Sequence, residues 1–182
     1  MSSPLGRAKA AIVAVDEAVD SKVDELRGRP ALDRLMYGAS ELGDWSLIWH
    51  LVAAGQGLLP GRDPMSALRV SLILGVESLL VNGPIKSLFR RHRPVWEEDR
   101  PRPHRVRSPR SSSFPSGHAS SAFTAAGLLS VGDPLWPLYY GLAMVVASSR
   151  VYVKMHHASD VVAGAALGVG LALVANRVWP GF

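Results

Sequence analysis

Residues 158–175 read ASDVVAGAALGVGLALVA. Past Asp160 the run carries no charge, and a helix that crosses a bilayer needs about 20 mostly apolar residues. Gly164 and Gly168 stand four apart, the small-xxx-small spacing that lets two helices approach closely. Four similar runs precede it: 45–61 (WSLIWHLVAAGQGLLPG), 66–85 (SALRVSLILGVESLLVNGPI), 117–132 (GHASSAFTAAGLLSVG) and 135–149 (LWPLYYGLAMVVASS). Each is slightly short for a span, and the mean hydropathy is only +0.14, so a soluble helical bundle competes. Two features weigh against it. Five such runs exceed what the core of a 182-residue soluble chain needs. Trp45, Trp49, Trp136, Tyr139, Tyr140, Tyr152 and Trp179 also lie near run ends, as interfacial aromatics do. The expected fold is all-α, a multi-pass membrane helical bundle of about five transmembrane helices. Glu77 falls inside the second run, where an acid needs a partner or a role, and a structural ion pair is the expectation.

Upstream, residues 7–27 (RAKAAIVAVDEAVDSKVDELR) place Ile12, Val15, Val19, Val23 and Leu26 three or four apart among charged residues. That is the pattern of an amphipathic helix, too broken to span and suited to the interface or to a neighbouring helix. Gly28 and Pro30 end it, and a short helical segment over 31–42 is expected. The chain then divides into N-terminal interfacial helices, 1–43, and a membrane-embedded domain, 44–178. Residues 1–30 are charged throughout, which is not the pattern of a cleavable leader. There is no cysteine, hence no disulfide and no thiolate metal site. The net charge is +5, and nine of the twenty Lys and Arg lie between Lys86 and Arg110. The stretch 86–116 around them is proline-rich and reads as an extended basic loop. It has too few aromatics to stack bases, which sets nucleic acid aside and leaves an anionic surface or an anionic substrate.

Successive spans alternate in direction. The end of the second run, the start of the third, the end of the fourth and the start of the fifth therefore share one face. Lys86, Arg93, Ser116, Gly117, His118, Arg150, His156 and Asp160 meet there. Lys86, Arg93 and Arg150 are three cations, two of them able to grip phosphate oxygens with a planar fork. The helix start at Ser116-Gly117-His118 adds backbone N–H donors and a positive dipole end. A helix beginning near His156 would put Asp160 on the same face, fixing the imidazole tautomer and making a directed nitrogen nucleophile. His118, from another helix, can protonate a leaving oxygen. The group fits a phosphate and a reaction upon it.

The order and spacing are specific: Lys86, six residues, Arg93-Pro94; Pro115-Ser116-Gly117-His118; Ser149-Arg150, five residues, His156, three residues, Asp160. This resembles the three-part motif of the type 2 phosphatidic acid phosphatase superfamily, over about residues 44–176. That superfamily includes lipid phosphate phosphatases, undecaprenyl-pyrophosphate phosphatases and vanadium-dependent haloperoxidases. The resemblance implies that His156 attacks phosphorus and forms a phosphohistidine while Asp160 orients it. His118 protonates the leaving group and then helps activate water. Lys86, Arg93, Arg150, Ser116 and Gly117 hold the phosphoryl oxygens, with neither metal nor cofactor. The substrate would be a lipid phosphate in the bilayer: phosphatidic acid, phosphatidylglycerol phosphate, a polyprenyl pyrophosphate or a polyprenyl-linked phosphosugar. Nothing in the residues chooses among these or fixes an oligomeric state.

There are departures from the family pattern. His157 and Ala158 stand where an aromatic and a proline are common, and Lys154 where glycine is common. Lys154 suits either a cation at the site rim or an interface anchor. Relatives often have six spans. Haloperoxidases are larger soluble proteins, and a non-catalytic lipid-phosphate binder would have lost His118, His156 or Asp160. On the active face lie 17 of the 20 Lys and Arg, all but Arg62, Arg69 and Arg177, so the positive-inside rule puts the site in the cytoplasm.

Overall fold

The computed structural model describes residues 3–95 and 111–180. The middle of the expected basic loop, residues 96–110, lies outside the described residues. Helix α1 spans Pro4–Asp24 and α2 Pro30–Leu42; a 3-10 turn, Asp44–Ser46, leads into α3, Leu47–Gly57. Helix α4, Met65–Leu80, runs on into a π-helical turn, Val81–Ile85, then come α5 (Gly117–Leu129), α6 (Trp136–Tyr152) and α7 (Ala158–Val178). No strand occurs among the described residues. The punctuation is that of the sequence. Gly28 takes a positive φ of 85° between α1 and α2, and Pro30 opens α2, where its missing N–H costs nothing. Pro84, which cannot donate to the helical ladder, lies in the π turn that ends α4.

Every apolar run becomes a helix. Met65–Ile85 and Ala158–Val178, 21 residues each, are long and apolar enough to cross a membrane. Helices α3, α5 and α6 have 11, 13 and 17 residues, less than the roughly 20 of a full span. The distribution of side-chain size is inside-out. Ala119, Ala122, Ala125 and Ala126 of α5 are buried, whereas Leu68, Leu72, Val76 and Leu79 form an exposed stripe on α4. Val162, Leu173 and Val174 are likewise exposed on α7. An aliphatic exterior around a small-residue interior suits lipid, where close backbone packing rather than hydrophobic exclusion joins helices. Helix α5 packs most closely on α7 and then on α6. Gly164 and Gly168 make this possible: a Cβ there would lie 2.4 Å from the Ser116 carbonyl oxygen and 2.2 Å from that of Ser120.

Three of the expected interfacial aromatics are interior instead: Trp49, Tyr139 and Tyr152 are buried. Trp49 and Tyr139 fill the space left by the alanines of α5. At the end of the bundle remote from the site, buried Asp133 accepts from Gln56 (2.6 Å), Arg62 (2.8 Å) and Tyr139 (3.1 Å). Helix α1 lies against α6 and α7, where Arg27 donates to the carbonyls of Val151 (2.9 Å) and Tyr152 (2.7 Å).

Candidate active site

A pocket of about 590 Å³ opens where α4, α5 and α6 bring their site-bearing ends beside the start of α7. Lys86, Arg93, Gly117, His118, Arg150 and His156 line it. Ser116 and Asp160, the other two residues expected there, are fully buried. Ser116 caps α5, its Oγ accepting from Ala119 N at 3.4 Å, while its own N–H donates to the Asp160 carbonyl at 3.0 Å. The starts of α5 and α7 are thereby tied together. Gly117 is needed for close approach, since a Cβ would lie 2.9 Å from Asn82 Oδ1. That oxygen accepts from Lys86 Nζ at 2.9 Å.

His156 is not on α7, as the sequence reading supposed. It sits in the turn after α6, where the N–H groups of Met155 and His156 both donate to the Arg150 carbonyl (3.0 and 3.1 Å). The helix begins only at Ala158, behind the cap residue His157. Lys154 makes the turn with a positive φ of 53°, which is why glycine suits that position. Asp160 still reaches the imidazole: its Oδ2 lies 3.7 Å from His156 Nδ1 and accepts from His157 N at 2.9 Å. On the other side of the ring, Nε2 is 3.4 Å from Arg93 Nη1, which donates to the Met155 carbonyl at 2.7 Å. Burial, and then the Arg150, Arg93 and Lys86 cations, push His156 down to about 3 against support from Asp160. The imidazole is therefore neutral, with a lone pair to use. Burial together with Arg93 and Arg150 pushes Lys86 down to about 8. Cations that repel one another in this way favour binding of an anion among them.

Arg150, only 4% exposed, donates to Ser40 Oγ of α2. His118 Nε2 pairs with Asp44 Oδ1 at 2.8 Å. Asp44 is aimed by the 3-10 turn, whose Trp45 and Ser46 both adopt positive φ (56° and 58°), a costly backbone for non-glycine residues. The hydrogen bond to His118, with the nearby Arg150 charge, holds Asp44 below the usual carboxylate range despite partial burial. Spacing alone revealed neither Ser40 nor Asp44, nor Arg91, whose guanidinium reaches Asp160 Oδ1 at 2.6 Å.

Two expectations need correction. Glu77 lines the pocket floor, but its Oε1 has no hydrogen-bond partner and no ion pair to it forms among the described residues. Lys154 is neither rim cation nor interface anchor. Its side chain is 9% exposed and pairs with Asp20 of α1 at 3.2 Å, because the turn points it away from the pocket. His157 caps α7 and its Nε2 lies 3.2 Å from the His92 carbonyl.

A neutral buried imidazole among three cations, at the end of a bundle clad in aliphatic side chains, is the equipment of a membrane phosphatase. The chain belongs to the PAP2 superfamily, whose sequence pattern matches residues 66–181. The decaprenylphosphoryl-5-phosphoribose phosphatase of Mycobacterium tuberculosis is 33% identical over 180 residues, covering 96% of this chain and 94% of that protein. Phosphatidylglycerophosphatase B of Bacillus subtilis is 32% identical over 172 residues, covering 87% of this chain and 80% of the relative. Among solved structures, a transmembrane PAP2-type phosphatidylglycerolphosphate phosphatase from Bacillus subtilis superimposes with a TM-score of 0.68 at 27% identity. That match covers 92% of this chain and 86% of the other. Aquifex aeolicus LpxE shares the fold, with a TM-score of 0.69 at 24% identity over 88% of this chain and 93% of that one. The protein is a membrane lipid phosphatase of the PAP2 type, a hydrolase of phosphoric esters.

Proposed function

We propose that the protein removes a terminal phosphate from a membrane lipid by double displacement through a phosphohistidine on His156, without a metal ion. The observation that carries this reading is the setting of His156: buried, neutral, with Asp160 3.7 Å from Nδ1 and the Arg93 guanidinium 3.4 Å from Nε2. In the first step the Nε2 lone pair forms an N–P bond as the ester P–O bond breaks. The leaving oxygen takes a proton from the His118 imidazolium, the form that Asp44 supports. In the second step a water oxygen attacks phosphorus while His118 takes the water proton. The N–P bond breaks, orthophosphate leaves and the lone pair returns to Nε2. Lys86, Arg93, Arg150 and the N–H groups at the start of α5 neutralise the phosphoryl oxygens, the task a metal performs elsewhere. The relatives named for a decaprenyl-linked phosphoribose and for phosphatidylglycerophosphate support a lipid phosphomonoester as substrate, its tail in the bilayer and its phosphate in the pocket.

In this reading residues 44–178 cross the membrane several times, 1–43 lie on its surface, and the pocket opens to the cytoplasm. The positive-inside count supports the sidedness, and thiol labelling of Ser108→Cys and Gly61→Cys tests it. Reaction of residue 108 only from outside would reverse the assignment. The chemistry is tested by phosphate release from a panel of phosphatidic acid, phosphatidylglycerol phosphate, polyprenyl phosphate and polyprenyl pyrophosphate, in the presence of a chelator. Turnover should persist in chelator, be blocked by vanadate and vanish in His156→Ala. Undiminished turnover by His156→Ala refutes the nucleophile assignment.

A further inference from the structure

Helix α1 reads from its sequence as an accessory amphipathic helix, yet its one buried residue is an acid. Asp16 is 4% exposed and sits against the start of α7. Its Oδ1 accepts from Ser159 N at 2.8 Å, and its Oδ2 accepts from Ser159 Oγ at 2.7 Å and from Arg91 Nη2 at 2.5 Å. The other end of the same guanidinium, Nη1, donates to Asp160 Oδ1 at 2.6 Å and to Ser159 Oγ at 2.7 Å. Asp160 in turn presents Oδ2 to His156 Nδ1. A line of charged groups runs from α1 to the imidazole: carboxylate, guanidinium, carboxylate and, at 3.7 Å, the ring.

We propose that Asp16, acting through Arg91, is a positioning residue for the His156 nucleophile, so that α1 is part of the catalytic apparatus. The inference rests on the phosphohistidine reading above. Its physical content is a division of charge. Arg91 bound to Asp160 alone would neutralise the carboxylate that supports His156. Asp16 takes half of the guanidinium, leaving Asp160 more of its negative charge for the ring. The hydrogen bonds from Ser159 and the Arg91 cation hold Asp16 below the usual carboxylate range although burial opposes them, so it is ionised. The two bonds to Ser159 also pin the first turn of α7, which fixes where Asp160 points.

The test uses the full-length protein in detergent with phosphatidylglycerol phosphate as probe. Asp16→Asn keeps an oxygen for Ser159 N but turns an amide toward Arg91. The kcat should fall roughly 10- to 100-fold with KM within about twofold. The groups that set the charge state of His156 are Lys86, Arg93 and Arg150 on the cationic side and Asp160 on the anionic side, with His118 across the pocket. Releasing the full Arg91 charge onto Asp160 weakens the anionic side. The His156 imidazolium becomes less stable, and the acid limb of kcat/KM moves to lower pH. The ring signals of His156 in 15N-histidine-labelled protein should shift their titration in the same direction, with or without turnover. Adding Asp16→Asn to Arg91→Met should cost nothing further. Should Asp16→Asn fail to fold, Arg91→Lys, which replaces the two ends of the guanidinium by a single nitrogen, should show the same loss of kcat. The proposal is overturned if the acid limb and the 15N titration stay where they are while thermal stability alone falls. It is equally overturned if Arg91→Lys matches the wild type. Retained turnover in His156→Ala would instead strike the phosphohistidine reading, with the 15N titration still reporting whether Asp16 reaches the ring.

Discussion

Gly168→Ala should damage both stability and turnover, while Gly170→Ala, on the same helix, should do neither. A Cβ at 168 would sit 2.2 Å from the Ser120 carbonyl oxygen and 3.0 Å from both Ser120 C and Thr124 N. These are backbone atoms and cannot rotate away. A Cβ at 170 meets nothing within 4 Å. Reaching an ordinary contact of 3.4 Å requires α5 and α7 to part by more than an ångström. Overpacking of this kind costs about 1–3 kcal/mol. The Thr124 Oγ1 bond to the Gly168 carbonyl, 3.2 Å, is stretched as well, at a cost of about 1 kcal/mol. The better helix propensity of alanine returns about 1 kcal/mol. The net loss is about 1–3 kcal/mol, or roughly 2–12 °C in Tm for a domain of this size. The functional cost should be larger than the stability cost suggests. Helix α5 carries His118 and α7 carries Asp160, and a misplacement of about 1 Å between catalytic groups can cost roughly a hundredfold. Thermal unfolding in detergent and kcat for phosphate release, measured on both variants, check the argument. If Gly168→Ala behaves like Gly170→Ala in both assays, the packing account of this interface is wrong.

Arg150→Lys keeps the charge but loses the planar fork and the bond to Ser40, so kcat should drop roughly 100- to 1,000-fold; wild-type turnover would count against Arg150 as a phosphoryl ligand. Asp44→Asn removes the carboxylate behind His118. The imidazolium loses support, and the alkaline limb of kcat/KM should move to lower pH; a pH–rate profile with that limb unmoved would remove Asp44 from the proton-donor pair. The His156 pKa is about 3 in the folded protein against an ordinary value of 6.5, so between these values the unfolded chain holds the extra proton. Its contribution to stability is therefore full above about pH 6.5 and declines as pH falls toward 3, with a slope of at most about 1.4 kcal/mol per pH unit. Tm measured from pH 4 to 7 should fall less steeply in His156→Asn than in the wild type, and parallel curves would contradict the burial argument.

The helices were legible because apolar runs and Gly–Pro punctuation mark them, and the pocket because alternating helices return every second end to one face. That topological argument needs no side-chain contact, and it placed Lys86, Arg93, His118, Arg150 and His156 correctly around one cavity. What it could not supply is partner choice across the chain. Asp44 and His118 are 74 residues apart, and Asp16 and Arg91 are 75 apart. Each of these acids sits where a solvated charge would also be unremarkable. Asp16 falls among the polar residues of an amphipathic pattern, and only the docking of α1 on α7 makes it interior. The aromatics misled for the opposite reason. A run end is an interface for Trp45, 96% exposed, but Trp49 one turn later faces the alanines of α5 and is buried completely.

Two histidines share the pocket, and in the proposed mechanism their surroundings suit them to different tasks. Each is backed by a carboxylate, but the two pairs differ in contact with water. His156 and Asp160 have side chains 3% and 0% exposed, whereas His118 and Asp44 are 18% and 58% exposed. A nucleophile gains from burial, because desolvation keeps the ring unprotonated and strips water from the attacking nitrogen. A proton donor gains from partial exposure, since it must be recharged once per cycle and a sealed imidazole could not exchange with solvent. Exchanging the roles would place the attacking nitrogen beside an exposed carboxylate that favours its protonated form, and would ask the buried ring, already pressed by three cations, to carry a fourth positive charge. In the proposed mechanism, the burial of His156 and the partial exposure of His118 thus assign attack to one ring and proton transfer to the other.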